Sequence, residues 1–238
     1  MGGDTDLRGF DTRTISPYIF LNDMISMPLT NPDGSSVPLD PTNPRRGPMI
    51  VPIPIKRITV PGGDTSIVSN VEYRWNLFGP VTVAAFADTG FDMVVSASQL
   101  RTTDTQLNTL NTTAFGCANA VAFVGCTGGI VPGQPGGLPV FSPTLQTVAG
   151  SNYLPRMSTG LELQVILPIV NAPFRIYYAY NPLRLDTVTS NTSIITRNMF
   201  PAGAAGEFTY HQALQSFAPE YQLKEPRKTF RFTVATTF

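Results

Sequence analysis

The side chains best placed to do chemistry in this chain are carboxylates and an arginine. Glu72 and Asp88 fall on the polar faces of two neighbouring alternating segments joined by a tight turn, so they can lie side by side. Two carboxylates facing one enclosed space repel unless a cation sits between them. Arg8, with five donors in a rigid fork, suits that position. Gly9 lets the backbone turn tightly beside it, and Phe10 offers an anchor against a wall. A solvated loop cation, with the carboxylates lining a wet pore, is the competing reading. Glu162 also falls on a polar face but has no carboxylate partner on its own strand. His211, the only histidine, lies in EFTYHQALQ and reads as a surface residue rather than a base. No Ser/His/Asp set is recognisable, and the two GGDT stretches lack the Lys-Ser/Thr of a phosphate loop. These residues do not describe an enzyme.

Cys117 and Cys126 stand close together in FGCANAVAFVGCTGG. Such a pair suits either a disulfide in an oxidising compartment or two idle thiols in a reducing one. No metal site is expected, because His211 is remote in sequence and there are no other cysteines.

The elements that would position these groups are strands. Five stretches alternate with period two. From Ser66 to Leu77, an apolar face with Ile67, Val71, Tyr73, Trp75 and Leu77 opposes Asn70, Glu72, Arg74 and Asn76. From Val81 to Phe91, the face opposite the apolar one carries Asp88 and Gly90. From Met157 to Leu167, the polar side is Ser158, Gly160, Glu162 and Gln164. Phe174, Ile176, Tyr178 and Tyr180 face away from Arg175, Tyr177 and Ala179. The ending KTFRFTVATTF sets Phe230, Phe232, Val234 and Phe238 against Thr229, Arg231 and Thr233.

A soluble sandwich alternates too, with its apolar faces turned inward. Connection length separates the two cases. NLFGPV and PIVNAP are tight turns, whereas about Ser96 to Pro155 and Asp186 to Pro226 are long. Tight turns alternating with long loops, on segments of ten or so residues, is the plan of a transmembrane barrel. A compact soluble domain rarely carries loops of that length. The expected fold class is all-β, an antiparallel transmembrane β-barrel. With the chain end on the periplasmic side, the long segments lie outside. The cysteine pair then sits in an extracellular loop, where a disulfide forms and persists; a Cys117–Cys126 disulfide is the expectation.

Composition agrees with this and excludes alternatives. Only 13% of residues are charged, against roughly 25% in ordinary soluble domains. The formal net charge of +0 offers no basic stripe for nucleic acid. With 22 Pro and 20 Gly, a helix bundle is not expected. No apolar run is long enough for a transmembrane helix, and MGGDTDLRGF is not a signal peptide.

Several short motifs line up in order. GGDTDLRGF, with Leu7, Arg8, Gly9 and Phe10, resembles the lumen-loop motif of BamA-type outer-membrane assembly proteins, the bacterial surface antigen family. GGDTSIVSNVEYR, with Asn70 and Glu72, resembles that family's next strand, and FADTGF, with Asp88 and Gly90, the strand after it. The terminal Phe238, with Phe230, Phe232 and Val234, looks like the signal by which barrels are recognised for assembly. Ala235 stands where many family members have Gly.

The resemblance implies that residues 1–238 are the C-terminal part of an outer-membrane barrel. Residues 1–65 would be a long loop folded into the lumen, and 66–238 the last five strands with two long extracellular loops. The signal peptide and periplasmic POTRA repeats would be missing, and five strands alone would be incomplete. Arg8 is then expected to bridge Glu72 and Asp88. The implied function is folding and insertion of other barrels into the bacterial outer membrane, without a cofactor. Implied partners are outer-membrane lipid, unfolded barrel clients, and periplasmic lipoproteins reached through the missing N-terminal part. A two-partner-secretion transporter of the same superfamily, or a soluble β-sandwich module for adhesion or capsid building, are the alternatives.

Overall fold

A computed structural model describes residues 1–3, 6–12, 14–135, 137–167, 172–190 and 194–234. In chain order, β1 (Ile19–Pro28) and β2 (Ile50–Thr59) precede two long strands, β3 (Thr65–Phe78) and β4 (Val81–Met93). A long connection then holds α1 (Asp104–Thr112), β5 (Asn119–Val121), β6 (Gly125–Thr127) and β7 (Gln146–Thr147). Two more long strands follow, β8 (Arg156–Leu167) and β9 (Ala172–Leu183). The last connection carries β10 (Asp186–Ser190), α2 (Ala204–Phe217) and β11 (Glu220–Lys224) before β12 (Lys228–Val234).

The five stretches that alternate in the sequence are the five strands of one antiparallel sheet, in the order β12-β9-β8-β4-β3. Among the described residues the sheet does not close, and β3 and β12 form its edges. Register aligns the outward side chains into rows that run across all five strands. One row is Trp75, Val83, Leu163, Ile176 and Phe232. The next toward the long-loop end is Tyr73, Ala85, Leu161, Tyr178 and Phe230. On the turn side lies Phe78, Val81, Val165, Phe174 and Val234. A fourth row, Val71, Ala87, Thr159, Tyr180 and Lys228, ends the apolar band on a cation. Four rows two residues apart span about 20 Å of strand, close to the apolar band of about 25 Å on a transmembrane barrel. Phe230 and Phe232 are 68% and 65% exposed, as lipid-facing side chains are. Phe238, expected at the periplasmic boundary, lies outside the described residues, as does Ala235.

This banding makes a depth-dependent prediction. Phe232→Arg, in the middle of the apolar rows, should cost about 2–4 kcal/mol, falling to about 0–1 for arginine at the Lys228 position. Urea titration of the protein folded in lipid vesicles checks it; equal costs at the two positions would place the band wrongly.

At the long-loop end the connections fold together into a cap with a core of its own. Val51, Ile53 and Ile55 of β2 point into it, with Pro52 and Pro54 between them. β2 can hold those prolines because it is the edge of the three-stranded sheet β2-β1-β7. Leu110 of α1, Phe115, Met199, Phe200 and Ala213 of α2 complete the core. Thr209, on the same side of α2, bonds the backbone of Thr30 in both directions, accepting from its N–H at 2.8 Å and donating to its carbonyl at 3.1 Å. Among the described residues no helix is long and apolar enough to cross a membrane.

Cys117 and Cys126 form a disulfide that closes the β5–β6 hairpin, with Cys117 buried in the cap core. A link across nine residues should contribute about 2–3 kcal/mol to local order. The Cys117→Ser, Cys126→Ser double variant is expected to raise hydrogen exchange in residues 115–130 and leave the five-stranded sheet unchanged. Free alkylation of both thiols in unreduced protein would contradict the link.

The first 65 residues divide between the two regions. The hairpin β1–β2 belongs to the cap, whereas the segment around LRGF lies on the inner face of the five-stranded sheet.

Candidate functional site

The inner face has rows of its own. One runs Glu72, Phe86, Gly160, Ala179 and Thr229, one residue from each of the five strands. Gly160 and Ala179 are small, so the row forms a trough beside Phe86. Gly160 has no room for more, since a Cβ there would lie 2.0 Å from the Tyr178 carbonyl oxygen and 2.8 Å from the Phe86 ring. Tyr177 meets Phe86 edge-on, with ring centroids 6.0 Å apart, and fixes the floor of the trough.

The LRGF segment lies along this trough. It is held in a tight loop, with the Leu7 N–H donating to the Gly3 carbonyl at 3.0 Å and the Gly3 N–H to the Phe10 carbonyl at 3.2 Å. Leu7, Phe10 and Ile15 are fully buried and pack with Met1 as a small apolar plug. Gly90 leaves space for it, because a Cβ there would meet the Ile67 carbonyl at 2.8 Å and the Met1 Cε at 3.2 Å.

Arg8 sits above the Phe86 ring, its guanidinium carbon 3.9 Å from the centroid. Nε and Nη2 donate to the two oxygens of Asp88 at 2.8 and 2.9 Å, a bidentate pair. The Arg8 backbone N–H also donates to Asp88, at 3.2 Å. Nη1 donates to Glu72 at 2.8 Å and to Glu162 at 3.2 Å. The Arg8 side chain is 6% exposed, Asp88 0%, Glu162 1% and Glu72 18%. Each glutamate uses its second oxygen on another arginine, Glu162 on Arg175 at 2.6 Å and Glu72 on Arg74. Three arginines and three carboxylates therefore form one balanced network. Burial works to lower the Arg8 pKa, and the bonds and charge of Asp88, then the hydrogen bonds to Glu72 and Glu162, outweigh it and hold the pKa above its ordinary value.

Gly9 continues the contact toward the other edge. Its carbonyl accepts from Asn181 Nδ2 at 2.8 Å and from Thr229 Oγ1 at 2.7 Å. Its φ of 88° is a conformation that side-chain-bearing residues rarely adopt. A Cβ on Gly9 would also lie 2.5 Å from Asn181 Oδ1 and 2.8 Å from the Ala179 Cβ. Arg8 and Gly9 together thus touch every strand of the sheet, through Glu72 on β3, Asp88 on β4, Glu162 on β8, Asn181 on β9 and Thr229 on β12.

Of the residues singled out in the sequence, Leu7, Arg8, Gly9, Phe10, Glu72, Asp88 and Gly90 come together here. Phe230, Phe232 and Val234 lie on the opposite face of the sheet. The cysteines are in the cap, and His211 is an exposed residue of α2 paired with Glu207 at 3.0 Å. Glu162, Asn181 and Thr229 were not foreseen as contacts of the loop. Parity placed Glu162 and Thr229 on the inner face, but the small residues Gly160 and Ala179 were the signal that a segment of chain lies over them.

The site holds a loop in place. Its ionic groups are mutually neutralised and mostly buried, and among the described residues no cluster of His, Cys, Asp or Glu is arranged to hold a metal ion. Comparison with curated proteins and with solved structures gave no significant match. A family model described as the Omp85 superfamily domain matches residues 1–238. A sheet with a lipid-suited outer face and a loop arginine clasped across its inner face is therefore matched along its whole length, and the chain belongs to the Omp85 superfamily of outer-membrane β-barrel proteins.

Proposed function

We propose that this chain is the closing portion of the barrel of a BamA-type assembly factor, which folds and inserts other β-barrels into the bacterial outer membrane. The observation that carries the reading is the seat of Arg8 across Glu72, Asp88 and Glu162. It fixes a loop inside a sheet whose last strand keeps a free edge. In lipid an unpaired edge is costly, because its N–H and C=O groups have no water to bond. The free edge of β12 is therefore the place where another strand, including that of an unfolded client, gains most by pairing. No chemical step and no cofactor is involved; the work is done by backbone hydrogen bonds and by the apolar rows facing lipid. The long-loop end with its cap lies outside the cell and the tight turns face the periplasm, where accessory lipoproteins would act.

The test uses the full chain folded in lipid vesicles, mixed with an unfolded eight-stranded outer-membrane barrel. The expected result is a several-fold faster appearance of the folded client, lost when β12 carries a proline at Phe232, whose N–H faces the free edge because the Asn181–Arg227 bond sets the odd-numbered residues of β12 against β9. No acceleration by the intact chain would overturn the reading. Passage of an unfolded soluble passenger across the vesicle membrane instead would favour a two-partner-secretion transporter.

A further inference from the structure

Where the apolar band ends, toward the long loops, charge is confined to one side of the sheet. The boundary row runs Val71, Ala87, Thr159, Tyr180 and Lys228, and the row beyond it Ser69, Thr89, Met157 and Leu183. On β3, β4 and β8 neither row carries a charge. On β9 and β12 the boundary is a phenol beside two exposed cations. Arg227, one residue before β12, reaches Tyr180, its Nη2 donating to the phenol oxygen at 3.1 Å. Its guanidinium carbon is 5.7 Å from the ring centroid. Lys228 lies opposite Tyr180 in the register, on the same outer face as Phe230.

These two cations have no counter-charge of their own. Among the described residues no ion pair engages Arg227 or Lys228. Asp186, whose charge reaches Arg227, is bonded by Arg184, and Glu225 is held by the buried Arg156. Glu220 stands at the far end of β11, opposite Ser190. One bond to Tyr180 leaves most of the Arg227 fork unused. One row toward the turns, about 7 Å along the strands, Tyr178 and Phe230 present rings that are 46% and 68% exposed. On the other side, Val188 apart, the exposed positions of β10 and β11 are Asp186, Ser190, Glu220, Gln222 and Lys224. The cations therefore stand at the border between an apolar and a polar surface.

We propose that Arg227, Lys228 and Tyr180 form a docking site for the phosphate of a membrane lipid whose acyl chains lie along Tyr178 and Phe230. Two adjacent like charges repel, and an anion between them relieves the repulsion. The guanidinium fork matches phosphate oxygens in pairs, and the ammonium adds a point charge. Tyrosine, with an apolar body and a polar tip, suits headgroup depth. Its bond to Arg227 orders the guanidinium beforehand, so less freedom is lost when the phosphate arrives. A lipid is the occupant, rather than a free anion, because the apolar rings begin one row below the cations on the same two strands. The site is independent of the assembly function, since it requires only that this face of the sheet meets lipid.

The experiment is native mass spectrometry of the full chain folded in a non-ionic detergent. The probes are a diphosphorylated diglucosamine lipid and the same lipid stripped of phosphate. Unmodified protein is expected to retain one phosphorylated lipid and to hold the stripped one on the order of 10-fold more weakly. Arg227→Gln and Lys228→Gln should each weaken the phosphorylated lipid about 5-fold, and together about 30-fold. Tyr180→Phe, which keeps the ring and releases the guanidinium, should weaken it about 3-fold. Arg45→Gln with Arg46→Gln, an equal loss of exposed charge in the β1–β2 connection of the cap, should leave retention unchanged. An equal loss in that control would overturn the site, by showing attraction to net charge alone. Equal retention of the two lipids by unmodified protein would overturn it whatever the variants do. Displacement of the lipid by inorganic phosphate at equal concentration would assign the cations to a free anion and overturn the lipid. Failure of the client-folding assay with lipid retention intact would reject the assembly function and leave the site standing.

Discussion

Replacing Arg8 by alanine is expected to cost about 3–5 kcal/mol, the usual penalty for leaving the other half of a buried ionic cluster unpaired. Asp88 loses two side-chain donors at once, and Glu162 and Glu72 each lose one, while all three carboxylates remain on the same inner face. The backbone N–H of residue 8 survives the change, but its position depended on the side chain beside it. Glu162 and Glu72 retain Arg175 and Arg74, so Asp88 carries the larger part of the loss. Arg8→Lys should cost less, because it restores a charge without the fork that meets both Asp88 oxygens. Chemical unfolding gives the energies, and limited proteolysis reports the loop: cleavage in residues 6–16 should rise in the order wild type, Arg8→Lys, Arg8→Ala. A lysine variant as protected as wild type would mean that charge alone holds the loop. An exposed surface pair would contribute about 0–1 kcal/mol, so a small effect for alanine would show the site to be wetter than its burial indicates.

Gly9→Ala should be nearly as severe, although it removes no interaction by design. Holding a side-chain-bearing residue in the left-handed region costs about 1–2 kcal/mol, and overpacking against Asn181 and Ala179 adds about 1–3 kcal/mol. The new methyl meets Asn181 Oδ1 and the Ala179 Cβ at distances no real contact shows, so the tip must lift. Lifting it takes the Gly9 carbonyl away from Asn181 and Thr229 while the Arg8 side chain, centred on Asp88 of β4, keeps its geometry. The variant is therefore expected to expose residues 9–12 to protease before residues 6–8. Its unfolding energy, measured beside that of Arg8→Ala, separates the two halves of the clasp. Simultaneous loss of protection on both sides would show them to act as one.

Much of the sheet was legible because its physics is local. Alternation along Ser66–Leu77 or Met157–Leu167 requires nothing but the period of a strand, and the observed β3 and β8 extend those stretches by a residue or two. The tight turn after Phe78 needed only its own residues. Glu72 and Asp88 could be set on one face by parity. The cap was not legible, because its order depends on partners far apart. The alternation of Val51, Ile53 and Ile55 is masked by Pro52 and Pro54, which are allowed only because β2 turns out to be an edge. The segment carrying α2 lies within the long connection from Asp186 to Pro226, and its Gly206 and Thr209 are poor helix formers. Those small residues form the side that packs: a Cβ on Gly206 would lie 1.9 Å from the Pro201 carbonyl oxygen, and Thr209 bonds Thr30 across most of the chain. Glu162 was visible as an inward carboxylate, but its cation comes from residue 8 and from the next strand. No pattern within β8 could announce that.

The double contact of Gly9 has a kinetic meaning. Its two donors, Asn181 and Thr229, lie 172 and 220 residues further along the chain. The tip is among the first residues a ribosome would make of this stretch, yet its carbonyl finds its second donor only after the final strand has been added. Contacts of such separation are slow, because the entropy of closing the intervening chain is spent before any bond rewards it. The seating of the loop is therefore among the last events of folding, and a protease that cuts the unseated tip would act as a clock for completion of the whole sheet.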